Sequence, residues 1–233
     1  MDKAACDYLI VGAGPAGCVL AARLSEDPTV SVLLLEAGGA DRSPLIRAPG
    51  GLLPIMLAGA HAWPYVSVPQ AQLDNRVLYL PRGKVLGGGS SINGMVYDRG
   101  FASDWDRIGA DNAGWTYAEV LPYFLKSEHN ERGRSALHGQ GGPLNVMDLR
   151  SPNPFCAEFV EAGQQAGHPL NTDFNGEQQE GVGMYQVTHK NGERFSAAKA
   201  YLTPHLGRPN LQVMTDAHTT RILLEGKRAV GVE

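Results

Sequence analysis

Three glycines and one carboxylate near the N-terminus have the spacing of a dinucleotide-binding motif. Gly12, Gly14 and Gly17 follow one apolar run, and Glu36 ends the next. In such a motif the first glycine permits a tight turn, the second lets the backbone approach a pyrophosphate, and the third lets a helix pack closely on a strand. The helix N-terminus presents N–H groups to phosphate, and the acid can accept hydrogen bonds from the ribose hydroxyls of an adenosine. The acid disfavours the 2′-phosphate of NADP, whereas FAD and NAD both stay open.

A second segment, residues 81–94, is rich in glycine and serine. It reads Pro-Arg-Gly-Lys-Val-Leu-Gly-Gly-Gly-Ser-Ser-Ile-Asn-Gly. Glycines leave backbone N–H groups unhindered and serines add hydroxyls, so the segment can bind an anionic or polar planar ligand. Composition alone is equally compatible with a flexible surface loop.

Other types of chemistry have no sequence signature here. The three cysteines are odd in number and widely spaced, which fits neither a disulfide framework nor a metal site. There is no Gly-x-Ser-x-Gly motif and no Walker loop. With a net charge of −4 and mixed charges along the chain, nothing favours nucleic-acid binding. We therefore assign no catalytic residue and no metal ligand.

The first glycine motif needs a strand before it and a helix after it, and the sequence predicts both. Residues 7–11 and 30–35 are expected to be buried strands, and 16–25 a helix with one apolar face. These elements form a βαβ unit, which predicts an α/β fold with a Rossmann-like, doubly wound parallel sheet.

The rest of the chain gives weaker signals. Residues 37–91 are loop-rich, as expected of a segment that wraps an extended ligand. Helical stretches are expected within 104–126, interrupted near Gly114, and across 153–166. Strands are expected at 181–188 and 211–215, followed by a hairpin of 221–225 and 229–232 that turns at Gly226.

The second glycine segment also carries a family resemblance. Residues 83–93, followed by Tyr97, Gly100 and Asp106, resemble the first signature of the glucose–methanol–choline (GMC) oxidoreductases. Residues 36–39, 114–124, 196–202 and 215–233 resemble further family segments, so the similarity covers essentially the whole chain. The bacterial alcohol-dehydrogenase and choline-dehydrogenase-like branch is the most similar.

The resemblance implies a set of FAD-binding residues. Gly12, Gly14, Gly17 and Glu36 would bind the ADP half. Thr219 occupies a position, often valine in the family, whose backbone meets the adenine. Some members attach FAD through a histidine at the Asn93 position, so asparagine there implies noncovalent FAD. The residues expected along the pyrophosphate and isoalloxazine are Arg82, Gly83, Gly88, Asn93, Gly94, Met95 and Val96.

It also implies an activity and a domain plan. Family members oxidise a primary alcohol by hydride transfer to flavin N5, while a histidine takes the hydroxyl proton. That histidine lies near the C-terminus of full-length members, and the seven histidines here are not in its motif. We expect residues 1–100 to form an FAD-binding domain, 101–210 to supply substrate-domain segments, and 211–233 to return as strands to the first domain. By the same resemblance, we expect the C-terminal part of the substrate domain to be missing from this sequence and this chain to supply only the FAD-binding portion.

Several alternatives remain open from sequence. The chain could be a non-catalytic FAD- or nucleotide-binding module, or an NAD-dependent dehydrogenase if only the first motif counts. Expected partners are an alcohol such as choline or an aliphatic or aromatic one, and an electron acceptor (quinone, carrier or oxygen). A missing C-terminal half is a further candidate partner, and an incomplete gene, proteolysis or a partner-encoded half would each account for it. No apolar stretch is long enough to span a bilayer, and we expect a cytoplasmic protein, with peripheral attachment to the inner membrane left open.

Overall fold

The computed structural model describes residues 5–233 and divides the chain into two compact units. One unit comprises the residues up to Gly94 together with Gly192–Glu233, and the other comprises Met95–Asn191. Each unit is described separately below.

The first unit begins with the predicted βαβ arrangement. Strand β1 (Tyr8–Val11), helix α1 (Pro15–Leu24) and strand β2 (Val32–Leu35) follow one another, and the strands pair in parallel. Proline is favoured at the first position of a helix, where its missing N–H is not needed. All four residues of β2 are buried, as expected for an inner strand of a parallel sheet.

Residues 37–94 are largely loops, as predicted, but they hold short elements. These are helices α2 (Pro44–Arg47) and α3 (Leu52–Ala58), and strands β3 (Ala62–Trp63) and β4 (Arg82–Gly83), which pair antiparallel. The sequence did not predict α3, which contains Pro54. This proline lies in the first turn, where backbone N–H groups have no intrahelical partner, so the helix tolerates it. A small core joins these loops and consists of Ile46, Ile55, Val85 and Ile92.

The second unit contains helices α4 (Ala102–Asp111) and α5 (Tyr117–Ser127), strands β5 (Glu128–Asn130) and β6 (Leu144–Val146), helix α6 (Pro154–Gln165) and strand β7 (His189–Lys190). The interrupted helical region and the helix near 153–166 are thus confirmed. Thr116 and Glu119 form a capping box that fixes the start of α5.

The predicted strand at 181–188 is wrong. This segment forms only isolated bridges, from Val182 to Leu170 and from Val187 to Val96 and Met147. Gly181 has φ +137°, and a Cβ on Gly183 would lie 1.7 Å from the carbonyl oxygen of Asn171. The glycines therefore mark a bend that passes close to another backbone, which interrupts a regular ladder.

Residues 192–233 complete the first unit. They contain strand β8 (Glu193–Arg194), a π-helical turn (Ala198–Leu202), and strands β9 (Leu211–Met214), β10 (Ile222–Glu225) and β11 (Arg228–Val232). Strand β9 pairs in parallel with β2, which gives a three-stranded parallel sheet in the order β1-β2-β9. The α/β fold with a parallel sheet is confirmed, and so is the β10–β11 hairpin, which turns at Gly226 with φ +60°. Across residues 5–233, no helix combines the length and apolar character that crossing a bilayer requires.

Candidate functional site

A cavity of about 690 Å³ lies within the first unit, at the carboxyl ends of β1 and β2. Val11 at the end of β1 and Leu35 at the end of β2 belong to its wall. Ligands of open parallel α/β sheets bind outside the carboxyl ends of the strands. The cavity therefore lies where the fold provides a binding site.

The first glycine motif forms one side of this cavity. Gly12 turns the chain with φ +93°, and its N–H donates to the carbonyl of Leu35 over 2.7 Å. Gly14 precedes α1 and also lines the cavity, and a Cβ placed on it would meet no atom within 4 Å. Gly17 lies behind the cavity wall, where a Cβ would come within 2.0 Å of the Gly12 carbonyl oxygen. The motif thus leaves open space beside the helix N-terminus, where a phosphate group fits.

Glu36 is buried at the end of β2, and its carboxylate is held in one orientation. One oxygen accepts from the N–H of Ala13 and the other from the N–H of Gly38, each over 2.8 Å. Its side chain is part of the cavity wall. Because each carboxylate oxygen has two lone pairs, acceptor capacity remains for the hydroxyls of a ligand.

The second glycine segment packs directly on the first. The N–H of Gly87 donates to the carbonyl of Ala13 over 2.7 Å. Gly88 has φ +53°, and a Cβ on it would lie 2.7 Å from the Cα of Gly14. A Cβ on Gly83 would lie 2.2 Å from the carbonyl carbon of Gly88. Close backbone contact thus joins two motifs that are far apart in sequence around one cavity.

Most of the residues predicted from the resemblance lie in this wall. They are Gly12, Gly14, Glu36, Arg82, Gly83, Gly88, Asn93, Gly94 and Thr219. Gly17 supports the wall from behind. Met95 and Val96 belong to the second unit, where Met95 has φ +61° and its carbonyl accepts from the N–H of Thr188 over 2.8 Å. The structure does not bring these last two residues into the wall.

Thr219 carries an unused hydrogen-bonding group. Its Oγ1 is buried, and no residue in the described range 5–233 hydrogen-bonds to it. A buried hydroxyl without a partner is costly and uncommon in folded proteins. Because this residue lines the cavity, we expect the hydroxyl to turn toward a ligand there.

Sequence reasoning missed Arg194, which holds the second glycine segment from behind. Its guanidinium donates to the backbone carbonyls of Ile46 over 2.9 Å, Ser90 over 3.2 Å and Asn93 over 2.8 Å. A further bond runs from Nη1 to Oδ1 of Asn93 over 2.9 Å. Every residue type has a backbone carbonyl, so an arginine that binds carbonyls leaves no sequence motif by which it could be predicted.

The second unit contains a separate buried cluster of charged groups. Glu128 accepts from Arg99 over 2.8 Å and lies 3.2 Å from Nδ1 of His138, whose Nε2 lies 2.8 Å from a carboxylate oxygen of Asp173. Burial raises the pKa of Glu128, but hydrogen bonds from His138 and Gly139 and the charge of Arg99 outweigh it and leave that pKa below its ordinary value. The hydrogen bond to Glu128, followed by that to Asp173, holds the pKa of His138 above its ordinary value. Each charged group of this network has a hydrogen-bond partner within the network, which indicates a structural role.

The remaining reactive side chains form no further site in the described part of the chain. Burial raises the pKa of the Cys18 thiol to about 12, so it stays protonated. Among residues 5–233, no group of three or more His, Cys, Asp or Glu side chains is arranged to hold a metal ion.

These features define an α/β protein with a glycine-lined cavity at the carboxyl ends of a parallel sheet. Comparison with known proteins then gives the family. The sequence profile of the GMC oxidoreductases matches residues 6–233, and the chain belongs to this family. In this family the N-terminal domain is the FAD-binding domain.

Curated relatives give the same family. The chain is 50% identical over 230 residues to an alcohol dehydrogenase [acceptor] of Pseudomonas putida, and 48% identical to an oxygen-dependent choline dehydrogenase of Sinorhizobium fredii. The matched region is 97% of this chain but 41% of each relative, so the chain spans well under half of their length.

Solved structures agree with the fold. Pyridoxine 4-oxidase from Mesorbium loti superposes with a TM-score of 0.92 at 35% identity, over 98% of this chain and 45% of that one. An FAD-dependent oxidoreductase from Chaetomium thermophilum superposes with a TM-score of 0.89 at 33% identity, over 98% of this chain and 41% of that one.

Proposed function

We propose that this chain binds FAD noncovalently in the first-unit cavity and is the cofactor-binding portion of an alcohol oxidoreductase. The observation that carries the proposal is the contact between Gly14 and Gly88, which unites both glycine motifs around one cavity. A nucleotide site built from the first motif alone would not need the second. This joint wall favours FAD over NAD as the ligand.

The wall residues divide into groups with different tasks. Glu36 accepts the ribose hydroxyls of the adenosine, and the open space at Gly14 admits the pyrophosphate next to the N-terminus of α1. Thr219 provides a hydroxyl and its backbone to the adenine. Arg82 and the glycine backbones of the second motif follow the cofactor toward Asn93 and Gly94, and the backbone at Gly94 serves the flavin edge.

Bound FAD supplies an acceptor for the hydride of an alcohol, which the protein cannot supply itself. A primary alcohol, choline-like or aliphatic or aromatic, is the proposed substrate class, and aldehyde the product. A quinone, a carrier protein or oxygen is the proposed final acceptor. We propose that the histidine that takes the hydroxyl proton is supplied outside this sequence, and that Met95–Asn191 contributes segments of the substrate domain.

The direct test is the visible absorption spectrum of the purified chain, before and after denaturation, with mass spectrometry of any released compound. Flavin bands together with free FAD after denaturation support the proposal. Retention of NAD in place of FAD would contradict it.

A non-catalytic flavin-binding module is the second candidate, because a fold that binds a cofactor does not by itself imply turnover. Adding a separately expressed C-terminal portion of the Pseudomonas putida relative distinguishes the two. Alcohol-dependent dye reduction by the mixture favours the enzyme portion, whereas FAD binding without any turnover favours the module.

A further inference from the structure

Arg194 is a buried cation with no carboxylate partner in the described part of the chain. Arg194 is 1% exposed. Burial lowers the pKa of its guanidinium to about 10, so the group stays charged at neutral pH. Its only hydrogen bonds are to the oxygens of Ile46, Ser90 and Asn93, and its Nη2 has no partner among residues 5–233.

Neighbouring charges do not neutralise this guanidinium. The adjacent Glu193 is already paired with Lys199, whose charge cancels its own. Arg47, which follows Ile46 on α2, has the same sign as Arg194 and is exposed. Within residues 5–233, no carboxylate therefore pairs with the Arg194 guanidinium.

Folding stability alone does not explain such an arrangement. A buried charge without a counter-ion is unfavourable, and an apolar side chain of similar size commonly serves stability as well or better. Electrostatic interactions are also less screened inside a protein than at its surface. Arg194 donates to both the backbone carbonyl and the side-chain oxygen of Asn93, which lines the cavity, so its charge lies one residue behind the cavity wall.

We propose that Arg194 is a positioning residue that holds the Ser90–Asn93 backbone next to the cavity. Through its uncompensated charge it makes the cavity bind reduced FAD more tightly relative to oxidised FAD. This proposal rests on the proposed function. It has two separable parts, because the forked hydrogen bonds require arginine whereas the charge requires only a cation. A ligand that gains negative charge on reduction supplies the counter-charge that the protein lacks.

The test compares Arg194→Lys and Arg194→Gln in the full chain with wild type. The measured quantities are the Kd of oxidised FAD, the Kd of dithionite-reduced FAD and the thermal midpoint. Both substitutions are expected to weaken the binding of oxidised FAD by about tenfold, because each removes buried charge-assisted hydrogen bonds. Lysine keeps the charge and should leave the ratio of the two Kd values within about twofold of wild type. Arg194→Gln removes the charge and should raise the Kd of reduced FAD, relative to the Kd of oxidised FAD, about tenfold above the wild-type ratio.

Arg208 provides the matched control. It belongs to the same unit and donates Nη1 to the carbonyl of Ala22 over 2.6 Å and to Ser25 over 2.7 Å, but it is not in the cavity wall. Arg208→Lys and Arg208→Gln should lower the thermal midpoint and leave both Kd values unchanged. If Arg194 has only a structural role, its two variants should likewise lower the thermal midpoint and leave both Kd values unchanged.

The outcomes separate the two proposals. A wild-type chain that binds neither form of FAD overturns the proposed function and this proposal with it. A wild-type chain that binds FAD, combined with an Arg194→Gln variant of unchanged Kd ratio, overturns the role of the charge alone. If Arg194→Gln does not fold, Arg194→Lys decides both parts. Wild-type affinity for oxidised FAD in that variant overturns the positioning role, and a Kd ratio changed by more than about twofold overturns the role of the charge.

Discussion

The Cα of Gly14 lies 2.7 Å from the position that a Cβ on Gly88 would occupy, so these two backbones touch across the floor of the cavity. The contact requires glycine at position 88 for two reasons. A side chain would overlap a main-chain atom, which cannot move aside as a flexible side chain can, and φ +53° is a conformation that residues with a Cβ rarely adopt.

Replacement of Gly88 by alanine should therefore push the two glycine motifs apart. We expect the variant to lose about 1–3 kcal/mol of stability and to bind FAD at least about tenfold more weakly. Thermal unfolding and a fluorescence titration with FAD measure the two effects. Gly207→Ala is the matched control, because a Cβ there meets nothing within 4 Å and the residue lies outside the cavity wall. Equal FAD affinity of the two variants would show that the backbone contact does not shape the binding site.

Glu36 should not tolerate glutamine despite the similar shape. Each carboxylate oxygen accepts from a backbone N–H, so an amide would place its NH₂ against one of these donors. Glu36→Gln is expected to cost about 1–3 kcal/mol of stability and to weaken FAD binding. The control Glu26→Gln removes an exposed carboxylate that pairs with Arg23, and should change little. Unfolding free energies from urea titration, with and without FAD, provide the measurement.

Thr219 gives a prediction with opposite signs in the empty and the loaded protein. Thr219→Val removes a buried hydroxyl that has no partner in residues 5–233, so the FAD-free chain should gain on the order of 1 kcal/mol. The same substitution should weaken FAD binding by roughly five- to tenfold, because the ligand loses a hydrogen bond. Thr220→Val is the control, since its hydroxyl bonds to the carbonyl of the exposed residue Glu233. Calorimetric melting with and without FAD tests both signs, and unchanged FAD affinity would mean that only the backbone at 219 meets the ligand.

How far the sequence could predict this structure depends on the range of the interactions. The βαβ unit and the β10–β11 hairpin were predictable because apolar periodicity and turn glycines act within a few residues of one another. The segment 181–188 failed because its glycines serve a close approach to Asn171, which no local pattern reveals. Likewise, most of the residues that the resemblance indicated line the cavity, but Arg194 was missed because its partners are carbonyl groups remote in sequence.

The buried cluster of the second unit predicts a pH dependence of stability. The pKa of His138 is raised in the folded chain, chiefly by the hydrogen bond to Glu128 and then by that to Asp173. A group whose pKa is higher when folded contributes stability that is fully present below the unfolded value, about 6.5 for histidine, and is lost as the pH rises through the folded value. We therefore expect the free energy of unfolding to fall as the pH rises above about 6.5.

His138→Gln should be less stable at low pH and should lack this decline, whereas His168→Gln, at an exposed position, should keep the wild-type profile. Denaturant titrations at a series of pH values measure the slope. A decline of equal size in His138→Gln would assign it to another group and leave His138 neutral within the cluster.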